Sequence, residues 1–527
     1  MGNQNDNEAG MNGRPNILHI MADQLTAFAL RAYGNRVCRT PHLDTLAARG
    51  TVFENCYCNF PVCAPSRASM LTGRLPSRLG VYDNACEFPS SAPTVAYYLS
   101  ALGYHTSLAG KMHFIGPDQL HGYQERLTTD IYPSDFGWTP DWRLMIPVAA
   151  TGLNLRSVVE SGTCRRSLQL DYDDEVAARA IQRIYDYGRN PAGRPFFFTV
   201  SFTHPHNPYV ITDEYWNRYD PADIDAPRVP PPPPAQDDPH SRRLREIYRF
   251  DEYRVDAEDV RRSRHAYYAM ISYVDDQVGR ILQALRDMDL EDDTVVVFTS
   301  DHGDMLGERG LWYKWTLLEG AVRIPLIVAT PGQLPGRVRD PVSLLDLLPT
   351  LMDLGGGRDL QPASDMEGES LLPWLEGRQR PRPDRPVFAE MNADGALGPC
   401  LMVRRGPWKY IYAESDPPQL FQVEDDPGET RNLAGRGETL RIEQELHALV
   451  HGHWDTARLA KDMVTSAGQR LFIQRTRQAG QFPPWDYEPR RDASRQFVRS
   501  GENGSATEAK GRARYPFVAP KPPDSRR

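Results

Sequence analysis

The sequence predicts an α/β protein built on a mixed, largely parallel sheet flanked by helices, with a smaller C-terminal α/β subdomain. Three observations predict it. Short apolar runs stop at polar, ligand-type side chains; stretches of helical character separate them; and after about residue 360 the texture changes to short strand-like segments.

The runs come first. Residues 17–22 stop at Asp23, and residues 104–109 stop at Gly110-Lys111-Met112-His113. Residues 196–202 stop at Thr203-His204-Pro205-His206, and residues 295–299 at Ser300-Asp301-His302-Gly303. A fifth run, 324–329, closes on Thr330-Pro331-Gly332. With helical stretches such as 174–187 and 266–288 between them, such runs read as buried parallel strands. Ligands of an open α/β sheet gather beyond the carboxyl ends of its strands. Four ends bearing Asp, Lys or His satisfy that rule together, where one would mean little.

Residues 387–390, 400–404 and 408–412 suggest short antiparallel strands, followed by Leu420-Phe421-Gln422-Val423. Residues 425–433 read as a turn leading into a helix over 438–451. Two loop-like segments, 120–171 and the proline-rich 220–240, interrupt the larger unit. The chain thus divides into a leader (1–13), a large domain (14–375), a smaller subdomain (376–460) and a tail (461–527). The tail carries Phe482-Pro-Pro-Trp485-Asp486-Tyr487 before turning basic and glycine-rich. No internal repeat is apparent.

Composition bounds the function. The chain has 527 residues, 40% hydrophobic and 25% charged, and its 61 basic against 70 acidic residues give a net charge of -9. That balance argues against nucleic acid as the partner. No apolar run approaches the roughly 20 residues that cross a bilayer. The first residues are polar, without the apolar stretch of a secretory signal, and Met11 is an alternative start. Seven cysteines, at 38, 56, 58, 63, 86, 164 and 400, lack paired zinc-ligand spacing. Without an export signal they read as reduced thiols of a cytoplasmic protein.

The sharpest motif is Cys63-Ala64-Pro65-Ser66-Arg67, followed by Leu71-Thr72-Gly73-Arg74. Alone, it leaves open a buried cysteine in a strand-to-helix turn. It follows Asp23 by 40 residues, however, and the set resembles the sulfatase family, whose fold is that of the alkaline phosphatase superfamily. The resemblance spans roughly residues 14 to 450. It implies that Cys63 is oxidised to Cα-formylglycine by a formylglycine-generating or equivalent maturation enzyme, and that the hydrated aldehyde is the nucleophile. It also implies a divalent ion held by Asp23, Gln24, residue 63, Asp301 and His302, calcium by family habit. Gln24 and His302 stand where many members have Asp and Asn, and the imidazole shifts the expectation towards manganese. Arg67, Lys111 and Lys314 match the cations around the nucleophile and the sulfate. His113 matches the histidine that deprotonates the sulfated diol, and His206 the one near the leaving group. His204, two residues before it, ranks lower.

Three stretches resemble choline sulfatases within that family: 110–142, 303–314, and the tail around Trp485-Asp486-Tyr487. That resemblance implies choline-O-sulfate as substrate. A trimethylammonium group donates no hydrogen bond, so aromatic faces and a carboxylate must select it. Trp138, Glu390 and Trp485 are the candidates, with Trp485 reaching the site in its own subunit or across a homodimer or homotetramer. The alternatives are a formylglycine-dependent phosphonate monoester or phosphodiester hydrolase, an arylsulfatase, and a choline-binding protein that never converts Cys63.

Overall fold

The computed structural model describes residues 13–132, 135–141, 153–190, 193–378 and 382–480. Its main sheet has eight strands: β1 (Asn16–Ala22), β2 (Thr51–Tyr57), β3 (His105–Gly110), β4 (Glu125–Arg126), β6 (Phe196–Ser201), β8 (Thr294–Ser300), β9 (Arg323–Ala329) and β10 (Gly336–Ser343). Their order is β10-β2-β9-β8-β1-β6-β3-β4. A separate pair joins β5 (Gly162–Thr163) to β7 (Val210–Ile211).

The central strands are buried along nearly their whole length, which is why they read as unbroken apolar runs rather than as alternating ones. Helices Leu168–Gly188, Ala257–Asp287 and Pro41–Arg49 pack on one another beside the sheet. Cys63–Thr72, Val95–Ala101 and Leu347–Leu354 form a second group. The two long helices run past the lengths expected for them because polar N-caps, Ser167 and Asp256, start them well before their apolar stripes.

One strand departs from expectation. The run at 324–329 is not parallel: β9 lies antiparallel to both β8 and β2. Between β8 and β9 the chain has only the single-turn Glu319–Val322 as α-helix, with no long crossover helix to return it to the starting edge. It therefore enters β9 where it left β8 and runs backwards. Thr330-Pro331-Gly332 consequently ends up at the edge opposite Asp23 and Asp301.

The smaller sheet is an antiparallel meander of β11 (Val387–Glu390), β12 (Cys400–Arg405), β13 (Trp408–Ala413) and β14 (Gln419–Gln422). Helix Leu440–His453 covers β12 and β13. The expected boundary at 460 falls inside a further helix, Thr456–Ala479, which is capped by Asp455. That helix returns to the large domain, where Arg470 grips both oxygens of Asp83 at 2.8 and 2.7 Å. No described helix is long and apolar enough to cross a membrane.

Candidate active site

Four parallel strands deliver their following residues to one point. Asp23 follows β1, Lys111 follows β3, His206 lies beyond β6, and Asp301 and His302 follow β8. Gly110 makes the Lys111 turn possible. Its φ is 105°, and a Cβ there would collide with the Ser201 carbonyl of β6. Cys63 reaches the same point as the first residue of helix Cys63–Thr72, entered from an extended Val62. The positive end of that helix faces whatever the residue-63 side chain carries.

Around Cys63 Sγ lie Lys314 Nζ at 3.1 Å, His302 Nε2 at 3.2 Å, Lys111 Nζ at 3.6 Å and Asp23 Oδ1 at 3.8 Å. His113 and His206 lie close enough to act on it electrostatically. Burial alone would push this thiol up, but Lys111, Lys314 and His302 outweigh it and hold it well below its ordinary value. The pocket therefore stabilises negative charge at residue 63, as a nucleophile attacking an anionic ester requires. Burial and Cys63 push the Asp23 carboxyl up, yet Lys111, His206 and Arg67 keep it below the usual carboxylate range. Lys111 bonds directly to Asp23 Oδ2.

Ligand atoms of Asp23, Cys63, Asp301 and His302 lie within 4.8 Å of one another, all buried. The donor set fits a divalent ion. His302 Nδ1 is 3.0 Å from the Gly303 carbonyl, which fixes the proton there and leaves the Nε2 lone pair turned inwards. That nitrogen is 3.7 Å from each of Asp23 Oδ1 and Asp301 Oδ2. Gln24, at φ 62°, donates its backbone N–H to Asp301 Oδ1, and its side-chain Oε1 accepts from Lys314 at 2.9 Å.

A model of the family "Sulfatase" matches residues 15–357, and one for the C-terminal part of N-sulphoglucosamine sulphohydrolase matches 307–454. A choline-sulfatase of Rhizobium meliloti (strain 1021) is 43% identical over 96% of this chain and 99% of its own. The chain belongs to the sulfatase family. It is a sulfuric ester hydrolase. An arylsulfatase of Clostridium perfringens (strain 13 / Type A) is 28% identical over 80% of this chain and 90% of its own. Among solved structures, a phosphonate monoester hydrolase of Agrobacterium radiobacter superposes with a TM-score of 0.66 at 25% identity, covering 84% of this chain and 96% of that one. A model for the choline sulfatase C terminus matches 461–515, beginning on helix Thr456–Ala479.

The sulfatase site places the expected residues unevenly. Arg67 lies behind the carboxylates: Nε bonds Asp301 at 2.8 Å, while Nη1 bonds Ser201 Oγ at 2.9 Å and the Lys111 carbonyl. Its Nη2 lies 3.7 Å from Asp23 Oδ2, so the guanidinium braces both carboxylates. His113, at φ 54°, is held by Asp130, which accepts its backbone N–H at 2.7 Å. Half-buried Trp138 stands edge-on to the His113 ring at 5.8 Å. His204 turns the other way and bonds Asp173 at 2.6 Å. Glu390 is fully buried, with its oxygens accepting from Ser77 N at 2.9 Å, from Ser77 Oγ, and from Trp454 Nε1 at 2.6 Å. Burial pushes its carboxyl up to about 6. Trp485 lies outside the described residues.

Sequence reasoning missed several partners. Tyr132 lies under Lys111, whose Nζ is 4.3 Å from its ring centre, and its hydroxyl is 3.3 Å from His206 Nδ1. Nothing in the long loop signalled it. Asp304 and Asn207 hold the Gln24 amide at 2.7 and 3.3 Å; each directly follows a singled-out motif, and that proximity was the available signal. On the Lys314 side, Trp315 packs on Tyr248 at 4.7 Å, and Tyr248 donates to Asp394 Oδ2 at 2.9 Å. Burial pushes Asp394 up to about 6, and Asp83 adds to this.

Proposed function

We propose that this sulfatase hydrolyses choline-O-sulfate to choline and sulfate, with residue 63 acting as a hydrated formylglycine. The observation that carries the reading is the cluster of Lys111, Lys314, His113, His206 and His302 around Cys63, in a chain 43% identical to a choline-sulfatase over 96% of its length. A maturation enzyme supplies the oxidation of Cys63. Asp23, Asp301, His302 and residue 63 would hold one divalent ion, calcium or manganese, with Gln24 beside them through its backbone N–H to Asp301 Oδ1. When bound, that ion supplies positive charge that acidifies a hydroxyl of residue 63.

The ester's sulfate lies against Lys111 and Lys314, and a hydroxyl of residue 63, its proton released to solvent, attacks sulfur in line with the departing choline oxygen. The S–O bond to choline breaks and its electron pair stays on oxygen. The proton for that oxygen comes from the Lys314–His206 pair. His206 Nδ1 is 2.7 Å from the Asn207 carbonyl and donates to it, so Nε2 is the acceptor for Lys314 at 3.0 Å. Burial and Lys314 both lower His206, so its neutral Nε2 orients the Lys314 ammonium, which gives its proton to the choline oxygen directly. His113 then takes the proton from the remaining hydroxyl, the aldehyde re-forms, and sulfate leaves. Water rehydrates the aldehyde.

For the trimethylammonium end we assign Trp138 as the aromatic face and Asp394 as the carboxylate. Glu390 has its oxygens engaged by Ser77 and Trp454, whereas Asp394 gives Tyr248 one oxygen and is 8% exposed. The test is kcat/KM for choline-O-sulfate against its neutral isostere, in which carbon replaces nitrogen. A preference of tenfold or more, about 1.4 kcal/mol, is expected; equal rates would remove choline as the recognised group.

A further inference from the structure

We propose that Asp304 is a positioning residue for this reaction: it dictates which end of the Gln24 amide faces Lys314, and so where Lys314 holds its ammonium. The role of Lys314 as proton source rests on the proposed function; the orientation of Gln24 does not.

Asp304 is fully buried just beyond β8 and accepts four hydrogen bonds. Oδ1 takes the backbone N–H groups of Leu306 at 2.8 Å and Tyr313 at 2.9 Å. Oδ2 takes the Tyr209 hydroxyl at 2.7 Å and Gln24 Nε2 at 2.7 Å. Both Asp304 oxygens are met by donors, and the NH2 end of Gln24 is the one that faces Oδ2 beside the Tyr209 hydroxyl. Asn207 Oδ1, at 3.3 Å, takes the other amide hydrogen. With both hydrogens committed, Oε1 faces the opposite way and meets Lys314 Nζ at 2.9 Å.

Lys314 has three N–H donors and three acceptors in reach: Gln24 Oε1, Cys63 Sγ at 3.1 Å and His206 Nε2 at 3.0 Å. Gln24 and His206 thus fix two of its protons, and the third points to residue 63, where the ester reacts. A flipped Gln24 would set an NH2 group against an ammonium, and the lysine would swing off that line. Asp304 touches neither nucleophile nor ester in this arrangement, and its effect passes entirely through Gln24.

The experiment reverses the polarity of the bond. Asp304→Asn, Gln24→Glu and the double variant are purified with conversion of Cys63 checked by peptide mass. Asp304→Asn faces one NH2 group with another, and Gln24→Glu faces one carboxylate with another. The double variant restores a donor opposite an acceptor and leaves a carboxylate oxygen for Lys314. Each protein is assayed on choline-O-sulfate, whose alkoxide needs a proton, and on 4-nitrophenyl sulfate, whose leaving group does not.

Asp304→Asn is expected to lower kcat on choline-O-sulfate by about 10²-fold, with a much smaller loss on the aryl ester and KM changed little. The double variant is expected to recover most of that loss. Tyr209→Phe, which loosens Asp304 without removing it, should show the same leaving-group dependence more weakly, and carries the test if Asp304→Asn does not fold. Equal losses on both esters, or a double variant no better than Asp304→Asn, would overturn the proposal. If the wild-type enzyme refuses choline-O-sulfate but hydrolyses its neutral isostere, the substrate reading fails alone, and the isostere serves as the alkyl ester.

Discussion

The residues gathered around Cys63 and those assigned to the trimethylammonium end come from different parts of the chain. Asp23, Lys111, His206, Asp301 and His302 all follow strands of one sheet, and Cys63 opens a helix buried along its whole length. Trp138 comes from a single 3₁₀ turn in a long connection, Asp394 from the link between β11 and β12, and Arg470 from the last described helix. The first group is ordered by the sheet itself. The second is ordered by contacts between distant segments: Arg470 ties Asp83 to Thr139, the residue after Trp138. A site assembled this way keeps its chemistry while its choice of substrate changes with a few loop residues.

Substitutions at the sulfur end should therefore abolish turnover, and those at the other end should change selectivity. The largest effect is expected for Cys63→Ser. Its hydroxyl accepts the sulfo group but cannot expel sulfate by forming an aldehyde. Steady turnover should fall by about 10³-fold or more, and intact-protein mass should show a trapped sulfo-enzyme. Sustained turnover at the wild-type rate would sink the formylglycine mechanism. Next is Lys314→Met, which removes the cation 3.1 Å from the nucleophile and the proton source for the leaving oxygen. A fall in kcat of about 10²- to 10³-fold is expected, with a smaller fall on aryl sulfates.

Asp394→Asn and Trp138→Ala probe the other end. The first should raise KM for choline-O-sulfate about tenfold or more, and the second about 2- to 30-fold, the span of a cation–π contact. Both should leave the neutral isostere almost untouched. Glu390→Gln should affect the two esters alike, since its partners are Ser77 and Trp454. If instead Glu390→Gln alone erased the preference for the cation, the assignment of Asp394 would be wrong.

The same division explains what was legible in the sequence. Asp23, Lys111, His206 and Asp301 stood out because each ends an apolar run, and a parallel strand carries its direction in that ending. The run at 324–329 showed the limit: composition marks a buried strand but not which way it points, so β9 was placed in reverse. Arg67 was recognised as a cation of the site, yet only the structure showed it turned to Asp301 and Ser201. Asp304 and Asn207 act through single hydrogen bonds to Gln24, and no periodicity reports such a bond. Glu390 and Asp394 lie four residues apart in one acidic stretch. Which one is spent on internal donors depends on Ser77 and Trp454, 313 and 64 residues distant.

The smallest effect is one of stability, and it separates the two carboxylates from the ordinary acid behaviour of a folded protein. Burial raises the Glu390 carboxyl from 4.5 to about 6 and the Asp394 carboxyl from 3.8 to about 6. Between its unfolded and folded values, each holds more proton in the native state than in the unfolded one. Their contribution is thus fully present below the unfolded value and is lost as pH rises through about 6, opposite in sign to a salt-bridged Asp. For Glu390 this amounts to roughly 2 kcal/mol across the window. Glu390→Gln should lower stability overall, because its new NH2 group opposes a buried donor, the Ser77 N–H when the amide oxygen keeps Trp454, yet flatten the slope of unfolding free energy between pH 4.5 and 6. Denaturant unfolding at several pH values measures that slope directly. An unchanged slope would mean that Glu390 titrates as an exposed carboxylate and that water reaches it, which would return it to contention as the group facing the substrate's cation.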